Sequence, residues 1–460
     1  MTHVHIQGMV VAVLASIVAT ANGQAQAANA PGADATAQGA ASNLDSLIAR
    51  ALVVNPRIHA ARERVEAART RIAPAGALPD PMLMAGIENL PLGRERGVGS
   101  VPEAMTMRVI GLGQTIPFPG KLALQHRAAE HEYAAAQALL GGAQREIERD
   151  VRQAYYAIAF LDRSLEILQR NQHVLVNLIQ ATESRYTVGT GGQQDVLEAR
   201  VEAARLADEA VSLSEQRRAL LAKLNTLLDR STETPLREPR VPDRIARAAV
   251  APDAREIRFT SAALGARAAD SPLPPLPDLQ EEAVRSNPDI VAHEAGIRAQ
   301  AARVELARRE RLPDFDLSIG YGQRFNRPDM ISATVSIAIP WQKGRKQDQL
   351  TASAQAELSA LQAAHHEKAN ALRSRVAELY ADLERVRAQL ALYVKSIIPQ
   401  GQASLTSARA GFQVGRIDFL TLLDNLITIH SYETAYYRAM SEFAATLAQL
   451  EAVVGREILA

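Results

Sequence analysis

The sequence has no cysteine among its 460 residues, which excludes disulfides, thiolate metal sites, thiol nucleophiles and a lipid anchor on an N-terminal cysteine. Aromatic residues are scarce, at 4%, with one tryptophan. Alanine is abundant, and the balance suits long helices lying side by side better than a compact enzyme core. Neither sign of charge is in excess: 51 basic residues face 51 acidic ones, so nothing electrostatic points to nucleic acid. No apolar run reaches the ~20 residues that a spanning helix needs, so a membrane segment of the mature chain must be built from strands. The phosphate-binding Gly loop, HExxH and GxSxG are all absent, so no catalytic residue and no cofactor is expected. The ten histidines are scattered. His365 and His366 are adjacent and point to different helix faces, and His126 and His131 are also wrongly spaced for one face, so no metal site is expected.

Residues 1–27 read as a signal peptide, with an apolar core at Met9–Ala21 and a small-x-small cleavage site at Ala25-Gln26-Ala27. The leading segment carries no Lys or Arg, and the alternative is an uncleaved anchor, for which the apolar run is short. Residues 28–43 would follow as a disordered mature N-terminus.

What is present is a duplication. Asn55-Pro56 and Leu78-Pro79-Asp80 reappear as Asn287-Pro288 and Leu312-Pro313-Asp314. Ile116-Pro117-Phe118 is answered by Ile339-Pro340-Trp341, each followed by a Gly/Lys cluster and a long helical pattern. Tyr186-Thr187-Val188-Gly189 is answered by Phe412-Gln413-Val414-Gly415, each followed by a second long helix. A period of about 230 residues is too long for a solenoid unit and marks a duplicated half-molecule. The halves run from 44 to 228 and from 279 to 455, ahead of a C-terminal tail at 456–460. The intervening 229–278 holds eight of the 22 prolines (Pro235, Pro239, Pro242, Pro252, Pro272, Pro274, Pro275 and Pro277), so little regular structure is expected there. A strand–helix unit that cannot close on itself predicts assembly into a ring.

Each half reads as helix, two strands, two long helices. Phe315, Leu317, Ile319 and Tyr321 alternate with Asp316, Ser318 and Gly320, and Ile331 to Ile339 alternate with small polar residues. Strands of this length fit a tilted membrane strand, with the small polar face toward a lumen. A soluble hairpin packed on helices is the alternative. Trp341 follows the apolar band, where an interfacial aromatic is expected. The first-half strands, near 80–90 and 104–117, are weaker, and Gln114 breaks their alternation. Aligning the halves sets Met82 and Met84 opposite Asp316 and Ser318, on the lumen side, with Met105 and Met107 alongside. Thioethers suit soft ions, or these merely fill space. Sustained three/four stepping, as in Val151, Tyr155, Ile158, Leu161, Leu165 and Leu168, predicts coiled-coil seams along helices at 121–186, 195–228, 346–411 and 418–455. Gly141-Gly142 and Pro399 are expected as internal breakers, marking local kinks or changes of packing. In the two inter-helix turns, Gly189 and Gly415 would end one helix, while Asp195 and Asp418 cap the next. Should the tips converge at a pore mouth, Glu198, Arg416 and Asp424 would form charged rings or latch pairs, and the Val188-Gly189 and Val414-Gly415 turns would serve for docking.

In this order, twice, these segments resemble the TolC-like outer-membrane efflux (outer-membrane factor) family over 44–455. The resemblance implies a mainly α, α+β homotrimer. It has a 12-stranded outer-membrane barrel, four strands per subunit, continued by a coiled-coil periplasmic tunnel. It implies passive export from an inner-membrane pump through a periplasmic adaptor. The family's tip aspartates and aromatic/Arg latch carry over to Asp195, Arg416, Asp418 and Phe412, with Tyr186 at the equivalent turn. The second turn is three residues shorter between Gly and Asp, and Phe412 has no hydroxyl where some members have Tyr. DPMLMAGIENLPLG and QTIPFPGK look most like the heavy-metal branch, which serves resistance–nodulation–division pumps; drug efflux and type I secretion ducts belong to the same family. Outside that family, a soluble periplasmic coiled-coil structural or adaptor protein is the competing expectation.

Overall fold

The computed structural model describes residues 44–90, 105–237, 239–249 and 273–459. The expected signal peptide and the tail at 28–43 lie outside the described residues. The duplication is visible in the element order. Helices α1 (Leu44–Val54), α2 (Pro56–Thr70) and α3 (Ile72–Gly76) lead to strands β1 (Met82–Glu88) and β2 (Met107–Ile116), then to α4 (Lys121–Thr187) and α5 (Gln193–Leu227). After a short α6 (Asp243–Ala249), the second half brings α7 (Leu276–Ser286), α8 (Pro288–Arg309), β3 (Phe315–Arg324) and β4 (Met330–Ile337). Its first long helix, α9 (Gln347–Leu392), passes through a π turn at Tyr393–Ile397 into α10 (Ile398–Gln413), and α11 (Phe419–Val454) ends the repeat.

The duplicated Asn-Pro has a physical purpose. Asn55 caps α2 by accepting from the Arg57 N–H at 2.9 Å, and Asn287 caps α8 by accepting from the Asp289 N–H at 3.0 Å. Proline follows each at the first helical position, where its missing N–H is harmless. Each Asn amide then donates to the far end of its own repeat: Asn55 to the Leu227 carbonyl at 2.9 Å, Asn287 to the Val453 carbonyl at 3.2 Å. One side chain thus caps a helix start and satisfies a helix end. Asn287→Ala should cost about 1–2 kcal/mol, read as a lower thermal midpoint by circular dichroism. Asn287→Asp keeps the cap and loses only the donor, so it should fall between the two.

α4 is 67 residues long, about 100 Å at the usual helical rise. The helix runs unbroken through Gly141-Gly142. A Cβ on Gly142 would stand 3.3 Å from the Pro288 Cβ, so the glycine admits the start of α8 against α4 rather than breaking the helix. Pro399 does disturb its helix. It has no N–H to offer the Lys395 carbonyl and crowds it, and the π turn just before it absorbs the mismatch.

The predicted seams are the core. Val151, Tyr155 and Ile158 pack with Val376, Leu383, Leu390, Phe443 and Leu447, and a second cluster joins Leu161, Leu168 and Leu175 to Leu206, Leu213, Phe412 and Phe419. Of the segment between the repeats, the described residues include one short helix, α6, and several apolar side chains that join the core. Leu236, Ile245, Ala249 and Leu273 are buried in the first cluster, and so are Ile458 and Leu459 of the expected tail. These apolar side chains seal the end of the seam.

Candidate functional site: a two-faced sheet and paired helix tips

The four strands pair antiparallel in the order β1-β2-β3-β4. Register sorts their side chains. Met82, Gly113, Ser318 and Thr334 form one cross-strand row, and Met84, Gly111, Gly320 and Ser332 the next, on the same face. Asp316 shares this face and accepts from Thr115 Oγ1 at 2.6 Å. The opposite face carries Leu83, Ile110, Leu112, Leu317, Ile319, Val335 and Ile337, all exposed. One face of the sheet is therefore mostly small and polar, with the Met82 and Met84 thioethers, and the other is mainly apolar, interrupted by Arg108 and Gln114. An exposed apolar face this broad marks contact with something other than water. Among the described residues no helix is long and apolar enough to cross a membrane.

The thioethers of Met84 and Met107 cover glycines. The Met84 Cε lies 3.5 Å from the place a Cβ would take on Gly111, and the Met107 Sδ lies 2.6 Å from that on Gly322. Met105 stands in the turn before β2. Gln114 sits on the apolar face, and its amide turns back to donate to the Pro79 carbonyl at 2.7 Å. Trp341, 88% exposed, lies in the turn after β4.

Sheet and helices meet at a built joint. Asp314 accepts from the Phe118 N–H at 2.7 Å and from Lys121 Nζ at 2.9 Å; Lys121 also donates to the Leu312 carbonyl at 3.1 Å. The ammonium is buried, with three oxygens around it. The Leu-Pro-Asp motif of the second half thus locks the Ile-Pro-Phe joint of the first, a pairing that no local reading of either motif discloses.

At the other end, the two turns share one backbone. Thr190 donates to the Arg185 carbonyl and Gly189 to Tyr186; Arg416 donates to Gly411 and Gly415 to Phe412. Both are Schellman closures, and Gly189 and Gly415 sit at φ +76 and +74, where a side chain is strained. The helix starts differ. Asp418 caps α11, accepting from the Thr421 N–H at 3.3 Å and from its hydroxyl, which holds its carboxyl below the usual aspartate range. Asp195 makes no cap: Gly192 occupies that position, and Asp195 lies in the first turn. The longer first turn puts the aspartate at the third helical residue instead of at the cap. Tyr186, Val188 and Val414 are exposed, Glu198 accepts from Gln194 at 2.8 Å, and Arg416 and Asp424 are exposed. Phe412 is buried, edge to face with Phe419. Arg185 was not foreseen. Its guanidinium lies 4.2 Å over the Phe412 ring and donates to the Phe412 carbonyl at 2.9 Å, binding the two tips of one protomer together. Its counterpart in the repeat is Gly411, so the duplication gave no signal for it.

Between sheet and tips lies a buried ion network. Arg152 donates to Glu451 at 2.7 Å, Glu148 at 2.6 Å and Glu457 at 3.2 Å, and Glu451 also accepts from the Ile458 N–H at 3.0 Å. Burial pushes the Glu451 carboxyl up, against the pull of that N–H and Arg152. Arg244 holds Glu457 below its ordinary range. Among the described residues no group of three His, Asp or Glu side chains is placed to hold a metal ion.

The sequence matches the family described as outer membrane efflux protein over residues 47–230 and 279–456, the two repeats. The chain belongs to the outer membrane efflux protein family. As a family member it is a channel protein of the Gram-negative outer membrane, not an enzyme, and the soluble coiled-coil alternative falls. It is 21% identical over 345 residues to the cobalt-zinc-cadmium resistance protein CzcC of Cupriavidus metallidurans, covering 74% of this chain and 75% of that one. Its fold matches the outer-membrane channel OprN with a TM-score of 0.73 at 20% identity, over 91% of each chain. It matches CusC with a TM-score of 0.73 at 17% identity, over 90% of this chain and 92% of that chain. The fold is thus the TolC-like one, mainly helical with a four-stranded sheet.

Proposed function

We propose that this protein is the exit duct of a tripartite efflux system, a homotrimer that passively conducts substrate from an inner-membrane pump and periplasmic adaptor to the outside. The observation that carries the reading is the two-faced sheet. Its apolar face suits outer-membrane lipid and its Gly/Ser/Thr face suits a water-filled lumen, so three such sheets make a 12-stranded barrel. Trp341 then marks the membrane interface. Met82, Met84, Asp316 and Ser318 line the lumen. Heavy-metal cations are the cargo favoured here, supported by the relative named for cobalt, zinc and cadmium resistance. Drug efflux and type I secretion are the alternatives, and the pump decides among them.

The tips are the aperture and the adaptor-docking surface. Tyr186, Val188, Gly189, Val414 and Gly415 form the exposed turns; Asp195, Glu198, Arg416, Asp418 and Asp424 supply the charge; and Phe412 carries Arg185 beneath them. Arg416 is exposed and is free to pair with a carboxylate of a neighbouring tip. Single-channel recording of the reconstituted trimer tests this. Arg416→Ala with Asp418→Asn, which spares the cap acceptor, should raise basal conductance severalfold. An unchanged closed conductance would sink the latch role, and a protein that never inserts would sink the duct.

A further inference from the structure

The first strand-to-helix joint is completed inside its own chain, and the second is not. At the first, Asp314 grips the Phe118 N–H and Lys121, and Lys121 is only 3% exposed. At the second, Trp341, Gln342, Lys343, Gly344, Arg345 and Lys346 are all exposed. The Trp341 N–H has no acceptor among the described residues. The matching Leu78-Pro79-Asp80 motif is engaged only through the Pro79 carbonyl, which accepts from Gln114: Leu78 is 52% exposed, and the Asp80 carboxylate has no partner among the described residues. The chain therefore carries both halves of a second copy of the lock, and leaves both open.

Topology says where they meet. β1 and β4 are the free edges of the sheet. Asp314 reaches the first joint because β3 pairs antiparallel with β2, setting Phe315 against Ile116. In the repeat, Asp80 stands for Asp314 and Ile339 for Ile116. The same geometry across two protomers sets Pro81 against Ile339, and so Leu83 against Ile337 and Met84 against Ser336. Faces agree under this register. Leu83 and Ile337 both lie on the apolar face, Met84 and Ser336 both on the small polar one. A slip of one residue would reverse every pair.

We infer that Asp80 of each protomer locks the 339–346 joint of its neighbour, accepting from the Trp341 N–H and pairing with Arg345, which follows Gly344 as Lys121 follows Gly120. This rests on the ring reading above and assigns the residues that set its register. An open lock at each end of the protomer is satisfied only when the ring is closed, which makes Asp80 a positioning residue for assembly.

The absence of cysteine makes the test direct. Leu83→Cys with Ile337→Cys reports strand pairing by oxidation, and Asp80→Cys with Trp341→Cys reports the lock with a short bis-maleimide. Phe118→Cys with Asp314→Cys is the control, crosslinking within one chain. The expected result is a covalent trimer ladder on denaturing gels from the first two pairs and monomer from the control. The single variant Asp80→Asn should lower the temperature at which the native trimer dissociates, whereas Asp45→Asn, on the first helix, should not. A ladder from the strand pair with none from the Asp80 pair, the control having reacted, overturns the lock and leaves the ring standing. A ladder from neither pair overturns both.

Discussion

Arg152→Ala should destabilise the helical body by about 3–5 kcal/mol, the range for removing one partner from a buried ion pair. The guanidinium is 9% exposed and serves three carboxylates, of which Glu451 is itself buried. Deleting it strands a carboxylate that cannot return to water without opening the end of the seam, where Ile458 and Leu459 pack. The loss should exceed that from removing both partners. Arg152→Met with Glu451→Leu leaves no buried charge unpaired, since Glu148 and Glu457 are more exposed, and should recover part of the difference, less the cost of the Ile458 N–H that loses its acceptor. Thermal melting of the purified protein, followed by helical signal, reads both. Equal losses in the single and double variants would show that packing, not charge, decides stability here.

A charge on the apolar face of the sheet should be damaging in a different way, by opposing insertion rather than by loosening the helical body. Ile319, 61% exposed, lies mid-strand, and Ser318 beside it faces the other way. Ile319→Arg should cost about 2–4 kcal/mol per protomer if it sits near the bilayer midplane, and the membrane-assembled trimer should be largely lost. Ser318→Arg should assemble normally and shift conductance or ion selectivity instead. Fractionation of outer membranes and heat-modifiable mobility read the first effect, planar bilayers the second. Equal loss of assembly in both variants would mean that the faces are not lipid and lumen.

Much of this was legible in the sequence, for reasons tied to period and duplication. Val376, Leu379, Leu383, Val386 and Leu390 repeat at helical spacing and are all buried. The alternation of β3 and β4 gave both faces. What failed was whatever depended on distant partners. Gln114 looked like a break in the strand because its acceptor, the Pro79 carbonyl, lies 35 residues away. Gly141-Gly142 left a kink and a change of packing both open, and only the distant start of α8, at Pro288, marks the second. Asp195 and Asp418 looked equivalent until turn length separated them. Arg152 and Glu451 are 299 residues apart, so nothing in the local sequence pairs them.

The unbroken α4 is also a lever arm. Over its ~100 Å, each degree of rotation at the sheet end carries the far end about 2 Å sideways. That is a large fraction of the gap across which two side chains touch. Aiming at the tips is therefore decided at the root, where Lys121, the first residue of the helix, is held by Asp314. A small loosening of that fulcrum would scatter the three tips well before it unfolded anything.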